Sequence, residues 1–314
     1  MSTPRAVFVL VLFLASIVAA GCTGAPSPAG VPTPVSPAEL RTVVEDATAL
    51  AAARGDAAAI AVFDTDDLSG GQRLFAFDRN GSLLTSPNRA TPPGPDRSNW
   101  SDPRGLPLVR VAGAVIADGG GFVAYVDTAP ANGTGVPGAP DAYVPMIAYV
   151  APAGERLWLG ASVPLDTMDA GGAVPAMVDL VERCAQYGRT EERDTTLAAI
   201  SDRSGPFVDA AGHYVYAYDT DGTLLAHPYL PGKVGTSLAE RRDAFGMQNI
   251  RALAETARQG GGYVVFIWPN PDHERREEPM TGYVLPVDDA WWVGSGVYLG
   301  EVTDAGAAVP APAS

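Results

Sequence analysis

Positive charge is scarce in this chain. Over 314 residues it carries 21 Lys and Arg against 36 Asp and Glu, a formal net charge of −15, and Lys233 is its only lysine. That balance excludes nucleic acid and an anionic membrane surface as partners. Cysteine is scarcer still: Cys22 and Cys184 leave no disulfide framework. Cys184 reads as a buried helix residue, with no histidine near it in sequence to make it a nucleophile. The three histidines, His213, His227 and His273, lack metal-ligand spacing with one another. No metal and no cofactor are therefore expected. No Ser/His/Asp pattern appears. The glycine triplets at 119–121 and 260–262 precede strand patterns rather than helices, so they are not phosphate-cradling loops. Beyond the N-terminus no apolar run is long enough to span a bilayer, so no cytoplasmic output domain is expected.

What is present begins with a targeting segment. Arg5 precedes an uncharged apolar run over residues 6–20, and Ala19-Ala20-Gly21-Cys22 follows. Small residues before a cysteine at the end of such a run resemble a lipobox. The resemblance implies cleavage before Cys22 and lipid on its thiol. An uncleaved signal anchor is the alternative. Either route puts the rest of the chain outside the cytoplasm, tethered to the membrane. Residues 1–22 are thus read as a lipoprotein signal peptide, and the Pro/Ser/Gly/Ala-rich residues 23–36 as a flexible linker. Sequons at Asn80, Asn99 and Asn132 are compatible with export.

A 46% hydrophobic content is ample for packed cores, and the length suggests about two domains. An internal repeat gives them content. The run from Leu74 to Leu84 matches Val215 to Leu225 at a shift of 141 residues, and the shift holds through Arg110 with Arg251 and Phe122 with Tyr263. After a loop of different length it becomes 134, pairing Met146 with Met280, Tyr149 with Tyr283, and Trp158 with Trp292. A constant offset over so many positions marks two copies of one domain. Each copy reads helix, short helix, hairpin, helical crossover and three antiparallel strands. The first helix starts at Ser36-Pro37 and stops at Gly55. The fold class is α+β, with a five-stranded, PAS-like antiparallel sheet in each copy. The boundaries are 37–166 and 175–302, with a linker at 167–174 and an Ala/Pro tail at 303–314.

The hairpin of the second copy, residues 214–228, carries a second signal. Tyr216, Ala217 and Tyr218 lead into Asp219-Thr220-Asp221-Gly222. A strand followed by Asp-x-Asp-Gly-Thr resembles the haloacid dehalogenase phosphatases, where the first Asp is the nucleophile. The first copy reads Asp78-Arg79-Asn80-Gly81, without the second acid. The shared Asp and Gly are what a tight turn needs. Lys233 is also too close to Asp219 for the phosphatase pattern. The turn is the preferred reading, and no enzymatic activity is expected.

Three blocks of the second copy, residues 205–238, 260–271 and 278–299, closely resemble Cache domains of the single-Cache type, a family of extracellular sensors. The first copy is read as a degenerate relative, through the repeat. The resemblance implies a pocket between sheet and crossover that binds a small molecule, an organic acid or amino acid. The candidate ligand residues are Tyr216, Tyr218, His227, Arg251, Trp268 and Tyr283. Arg251 is read as the clamp for a carboxylate, and the first copy has Ser86 and Asp127 where the second has His227 and Trp268. Gly294 and Gly296 leave room on one face of the last strand. The implied role is a membrane-anchored, extracytoplasmic solute-binding sensor that relays its state to a transmembrane receptor or transporter. A structural or interaction module with filled pockets is the alternative, and the phosphatase a weaker one.

Overall fold

The computed structural model describes residues 35–63, 73–85, 96–128, 143–168 and 171–303. All of them belong to one compact unit, Thr33–Ser314. Cys22, Ser86, Asn132 and residues 304–314 lie outside the described residues.

The chain enters through α1 (Pro37–Arg54). Its start is a capping box: the Ser36 hydroxyl accepts from the Glu39 N–H, and the Ser36 N–H donates to the Glu39 carboxylate. Gly55, at φ 88°, ends it. A short α2 (Asp56–Phe63) follows. The hairpin β1 (Arg73–Asp78) and β2 (Leu83–Thr85) leads through the crossover to α3 (Leu108–Ala117). Strands β3 (Gly121–Thr128), β4 (Tyr143–Ala153) and β5 (Leu157–Pro164) complete an antiparallel sheet in the order β2-β1-β5-β4-β3.

The second half repeats this plan with α4 (Ala173–Thr190), α5 (Arg193–Ser201), β6 (Tyr216–Asp219), β7 (Leu224–Ala226) and α6 (Asn249–Arg258). Then come β8 (Gly262–Pro269), β9 (Glu277–Pro286) and β10 (Trp291–Tyr298). Their order, β7-β6-β10-β9-β8, is the same. Helices α1 and α4 cover one face of their sheets, and α3 and α6 the other. The face under α4 closes over Met177, Leu180, Val181 and Cys184, all buried. Burial pushes the Cys184 thiol up to about 12, so it stays protonated and unreactive.

Both hairpin turns are Asx turns. The Asp78 carboxylate accepts from the N–H groups of Asn80 and Ser82, and that of Asp219 from Asp221 and Thr223. Gly222 at φ 83° completes the second turn, where a Cβ would lie 2.9 Å from that of Ala239. The antiparallel sheet is not the doubly wound parallel sheet that a phosphatase motif requires. Two details differ from the sequence reading. The hairpin strand starts at Tyr216, because an Asx turn at Asp209 still holds the chain back through Ala211 and His213. And β10 runs straight into a short helix, α7 (Leu299–Thr303), which buries Leu299, Val302 and Thr303.

The crossovers share a third Asx motif. Asp102 accepts from the N–H groups of Arg104 and Leu106, and Asp243 from Phe245 and Met247. These positions obey the shift of 141, which aligns the two crossovers residue by residue. The crossovers also touch each other. The Arg110 guanidinium, on α3, donates to the Phe245 carbonyl at 3.2 Å, and Arg104 donates to the Gln259 side chain at 2.7 Å.

Candidate functional site

A cavity of about 30 Å³ lies between the second sheet and α6. Alternation along β6 puts Tyr216 and Tyr218 on its floor with Tyr214, just before the strand. His227 enters from the end of β7, and Phe266 and Trp268 from alternate positions of β8. Ile250 and Leu253 close it from α6, whose start is pinned to β8 by a hydrogen bond from Asn249 Nδ2 to the Ile267 carbonyl. Gly296 leaves the room that Met280 partly occupies. Gly294 does not add to it, because the Tyr216 ring packs over that glycine.

The polar groups here are donors. His227 is 7% exposed, and burial lowers its pKa to about 4, so it is neutral at pH 7. Its Nδ1 accepts from the Tyr229 N–H at 3.0 Å, which places the imidazole proton on Nε2 as a donor. Burial also pushes the tyrosine hydroxyls up, Tyr214 to about 12 and Tyr216 well above its ordinary value. They remain protonated. The Tyr216 hydroxyl is buried with no hydrogen-bond partner among the described residues.

Arg241 does not line the cavity itself but lies against one of its walls, Trp268. Its guanidinium sits 3.9 Å from the centre of the Trp268 ring. Its Nη1 is buried and, among the described residues, has no hydrogen-bond partner. Burial lowers its pKa, while Glu277, Asp243 and Tyr218 oppose that shift. An arginine stays charged under such a load. A neutral imidazole donor and an unpaired phenol in one aromatic chamber, with a guanidinium that has one unpaired N–H over its Trp268 wall, form a surface for an anion with an apolar body.

Four of the six residues expected from the sequence, Tyr216, Tyr218, His227 and Trp268, thus line one chamber. Arg251 does not. It is on the outer face of α6, because Ile250, Leu253, Ala254 and Ala257 take the inner face. There it pairs with the Glu240 carboxylate beside a separate groove with Thr220 and Arg258. Tyr283 does not either. A Cβ on Gly282 would meet Phe266 and Leu253, on the chamber side, so its neighbour Tyr283 faces the opposite way. Its ring packs 4.9 Å from that of Tyr263. Arg241 and Tyr214 are the residues that sequence reasoning passed over. The available signal was the repeat: a shift of 141 sets Arg241 against Trp100, a cation gained in the second copy.

The other two histidines have carboxylate partners. His273 Nδ1 is 2.7 Å from the buried Glu278 carboxylate, which also accepts from Asn270. His213 is 8% exposed between Asp209, at 2.8 Å, and Glu301 of α7, at 3.0 Å. The Glu301 hydrogen bond, opposed by burial and reinforced by Asp209, raises its pKa to about 9. A folded pKa above the unfolded value of about 6.5 favours the folded state fully below that value, and the gain is lost as pH rises through 9. The melting temperature of the wild type should therefore fall between pH 6.5 and 9 relative to that of His213→Gln. Parallel curves for the two proteins would show that the cluster contributes no such linkage.

Comparison with known proteins agrees with this architecture. Residues 176–310 match the family described as Single Cache domain 2. That stretch is less than half of the chain, and it is what resembles the family. The sensor histidine kinase MctS of Rhizobium johnstonii is 32% identical over 90 residues, 28% of this chain and 19% of that protein. The methyl-accepting chemotaxis protein CtpM of Pseudomonas aeruginosa is 35% identical over 72 residues, 23% of this chain and 13% of that protein. The chain thus spans less than a fifth of the length of these curated relatives. Among solved structures, a methyl-accepting chemotaxis protein from Vibrio parahaemolyticus is 21% identical, with 41% of this chain and 86% of that chain covered and a TM-score of 0.34. Among the described residues no helix is long and apolar enough to cross a membrane.

Proposed function

We propose that this chain is an extracytoplasmic sensor whose second sheet binds a small carboxylate-bearing solute, an organic acid or amino acid. The single observation behind this reading is Arg241, a half-buried guanidinium whose buried Nη1 has no hydrogen-bond partner among the described residues, held over the Trp268 ring of the aromatic chamber. A carboxylate would satisfy Arg241 directly and take the His227 Nε2–H as a second donor. The aromatic walls would hold its carbon skeleton. Two like-ordered sheets and the repeat support two tandem Cache domains, 37–166 and 175–302, of which the second has a guanidinium over a wall of its chamber. A thermal-shift screen of the full chain against small organic acids and amino acids tests the reading, since a selective ligand raises apparent stability. Silence across both sets would favour a structural module whose chamber is filled by its own side chains.

The anchor is a separate part of the proposal. Ala-Gly-Cys after an apolar run supports lipid on Cys22, which would hold the sensor at the outer face of the membrane. A transmembrane receptor or transporter would then read it. Cys22→Ser should release the protein or leave it unprocessed. Unchanged attachment together with an unchanged mature mass would rule the lipid out.

A further inference from the structure

Helix α7 has five residues, too few to be stable by itself, so its surroundings hold it in place. It lies beside β3 of the first sheet and beside β9 and β10 of the second. Glu301 makes two ties at once. Its Oε1 accepts from the Tyr298 N–H at 2.7 Å, and its Oε2 is 3.0 Å from His213 Nε2. His213 comes from the loop before β6, and its Nδ1 is 2.8 Å from the Asp209 carboxylate. With a carboxylate on each nitrogen, the ring donates from both and is an imidazolium. Both ends of this latch are fixed. Asp209 is held by the N–H groups of Ala211 and His213, and the Tyr298 hydroxyl donates to the Pro269 carbonyl at 3.1 Å. The Glu301 side chain is 39% exposed, so water reaches the ion pair from the helix side.

The first copy has the same corner without the latch. The shift of 134 sets the 3-10 turn Leu165–Thr167 against Leu299–Glu301, with Thr167 in place of Glu301, and the shift of 141 sets Gln72 against His213. There the Thr167 carbonyl accepts from the Val35 N–H at 3.0 Å, which ties the corner to the chain entering α1. One half thus closes its corner with a backbone bond and the other with an ion pair between side chains. We propose that α7 is a strap, latched by the His213–Glu301 ion pair beside the junction of the two sheets, that opens about Tyr298 while both sheets stay folded. Short elements with few buried side chains open in this way at a lower free energy than the core. His213 directly precedes Tyr214, a wall of the chamber, so an open strap also removes a restraint from that wall.

Native-state amide exchange of the full chain at pH 7, read by mass spectrometry, tests the strap. In the wild type, peptides covering 298–303 should exchange at least a hundredfold faster than the centre of β10, with little dependence on low denaturant. His213→Gln should speed exchange at 298–303 tenfold or more. So should Glu301→Gln, which keeps the volume and an acceptor for Tyr298, and which keeps the test open if the first variant does not fold. Trp158→Phe, which loosens the first sheet at its stack on Phe77, should leave exchange at 298–303 within about twofold of wild type. Exchange at 298–303 that matches the centre of β10 in rate and denaturant slope overturns the proposal, since α7 then opens only with the whole domain. So does acceleration of the strap by Trp158→Phe, or an unchanged strap in both latch variants. The strap needs no solute to open, so this outcome and that of the carboxylate reading are separable.

Discussion

Arg241→Ala is expected to weaken carboxylate binding by tenfold or more, while Arg251→Ala changes it by less than about twofold. The two arginines are ten positions apart and in opposite circumstances. Arg241 is held over Trp268 with a buried N–H unpaired, whereas Arg251 is 56% exposed and already paired with Glu240. A hydrogen bond to a charged group contributes about 1.5–3 kcal/mol, equivalent to roughly tenfold to a hundredfold in affinity. Exposed ion pairs contribute about 0–1 kcal/mol and are screened by salt. Arg241→Lys should fall between wild type and the alanine variant, because lysine keeps the charge but not the planar stack on Trp268. Calorimetric titration with a carboxylate found by screening settles the matter. If Arg251→Ala proves the damaging change, the solute lies in the groove outside α6 and the chamber is not the site.

Trp292→Ala should be among the most destabilising single changes in the molecule. Trp292 is 1% exposed. Its indole stacks on Tyr218 at 5.1 Å and meets Tyr216 edge-on at 6.1 Å. Its Nε1 donates to the Asp219 carbonyl, which fixes the hairpin turn to the last strand. Truncation removes a large buried ring, leaves a cavity beneath two chamber tyrosines and takes one of its two donors from that carbonyl, which keeps the Gly222 N–H at 3.2 Å. The expected cost is about 3–5 kcal/mol, read as a lower denaturant midpoint at unchanged slope. Trp292→Phe should cost less, since it keeps the stack and loses only the hydrogen bond and some volume. A loss below about 1 kcal/mol in the alanine variant would mean that the sheet relaxes to fill the space.

Much of the architecture was legible because it rests on periodic signals. The repeat at offsets of 141 and 134 laid one sheet over the other, and the Asp/Gly turns gave the hairpins their ends. Of the four chamber residues named from the sequence, Tyr216 and Tyr218 alternate along β6, and Trp268 and His227 lie at the ends of their strands. The failures have the same physical origin. Tyr283 is an odd number of positions from Met280, so it belongs to the opposite face. Arg251 is next to Ile250 on a helix whose buried apolar positions are 250, 253, 254 and 257, so it points outward. Arg241 could not be found by period at all. It sits in an irregular crossover whose course is set by the Asp243 Asx motif, and only folding brings it over Trp268. For such a residue the contrast with Trp100 between copies was the one local clue.

The hydrogen bond from Arg110 to the Phe245 carbonyl has a thermodynamic consequence. Arg110 rides on α3, and Phe245 belongs to the loop that carries Arg241 to Trp268. A shift of either element that breaks this bond carries its free energy into the other. Linkage then imposes a symmetry: whatever factor a shift of α3 would impose on affinity beside Trp268, a solute bound beside Trp268 would impose on the equilibrium of that shift.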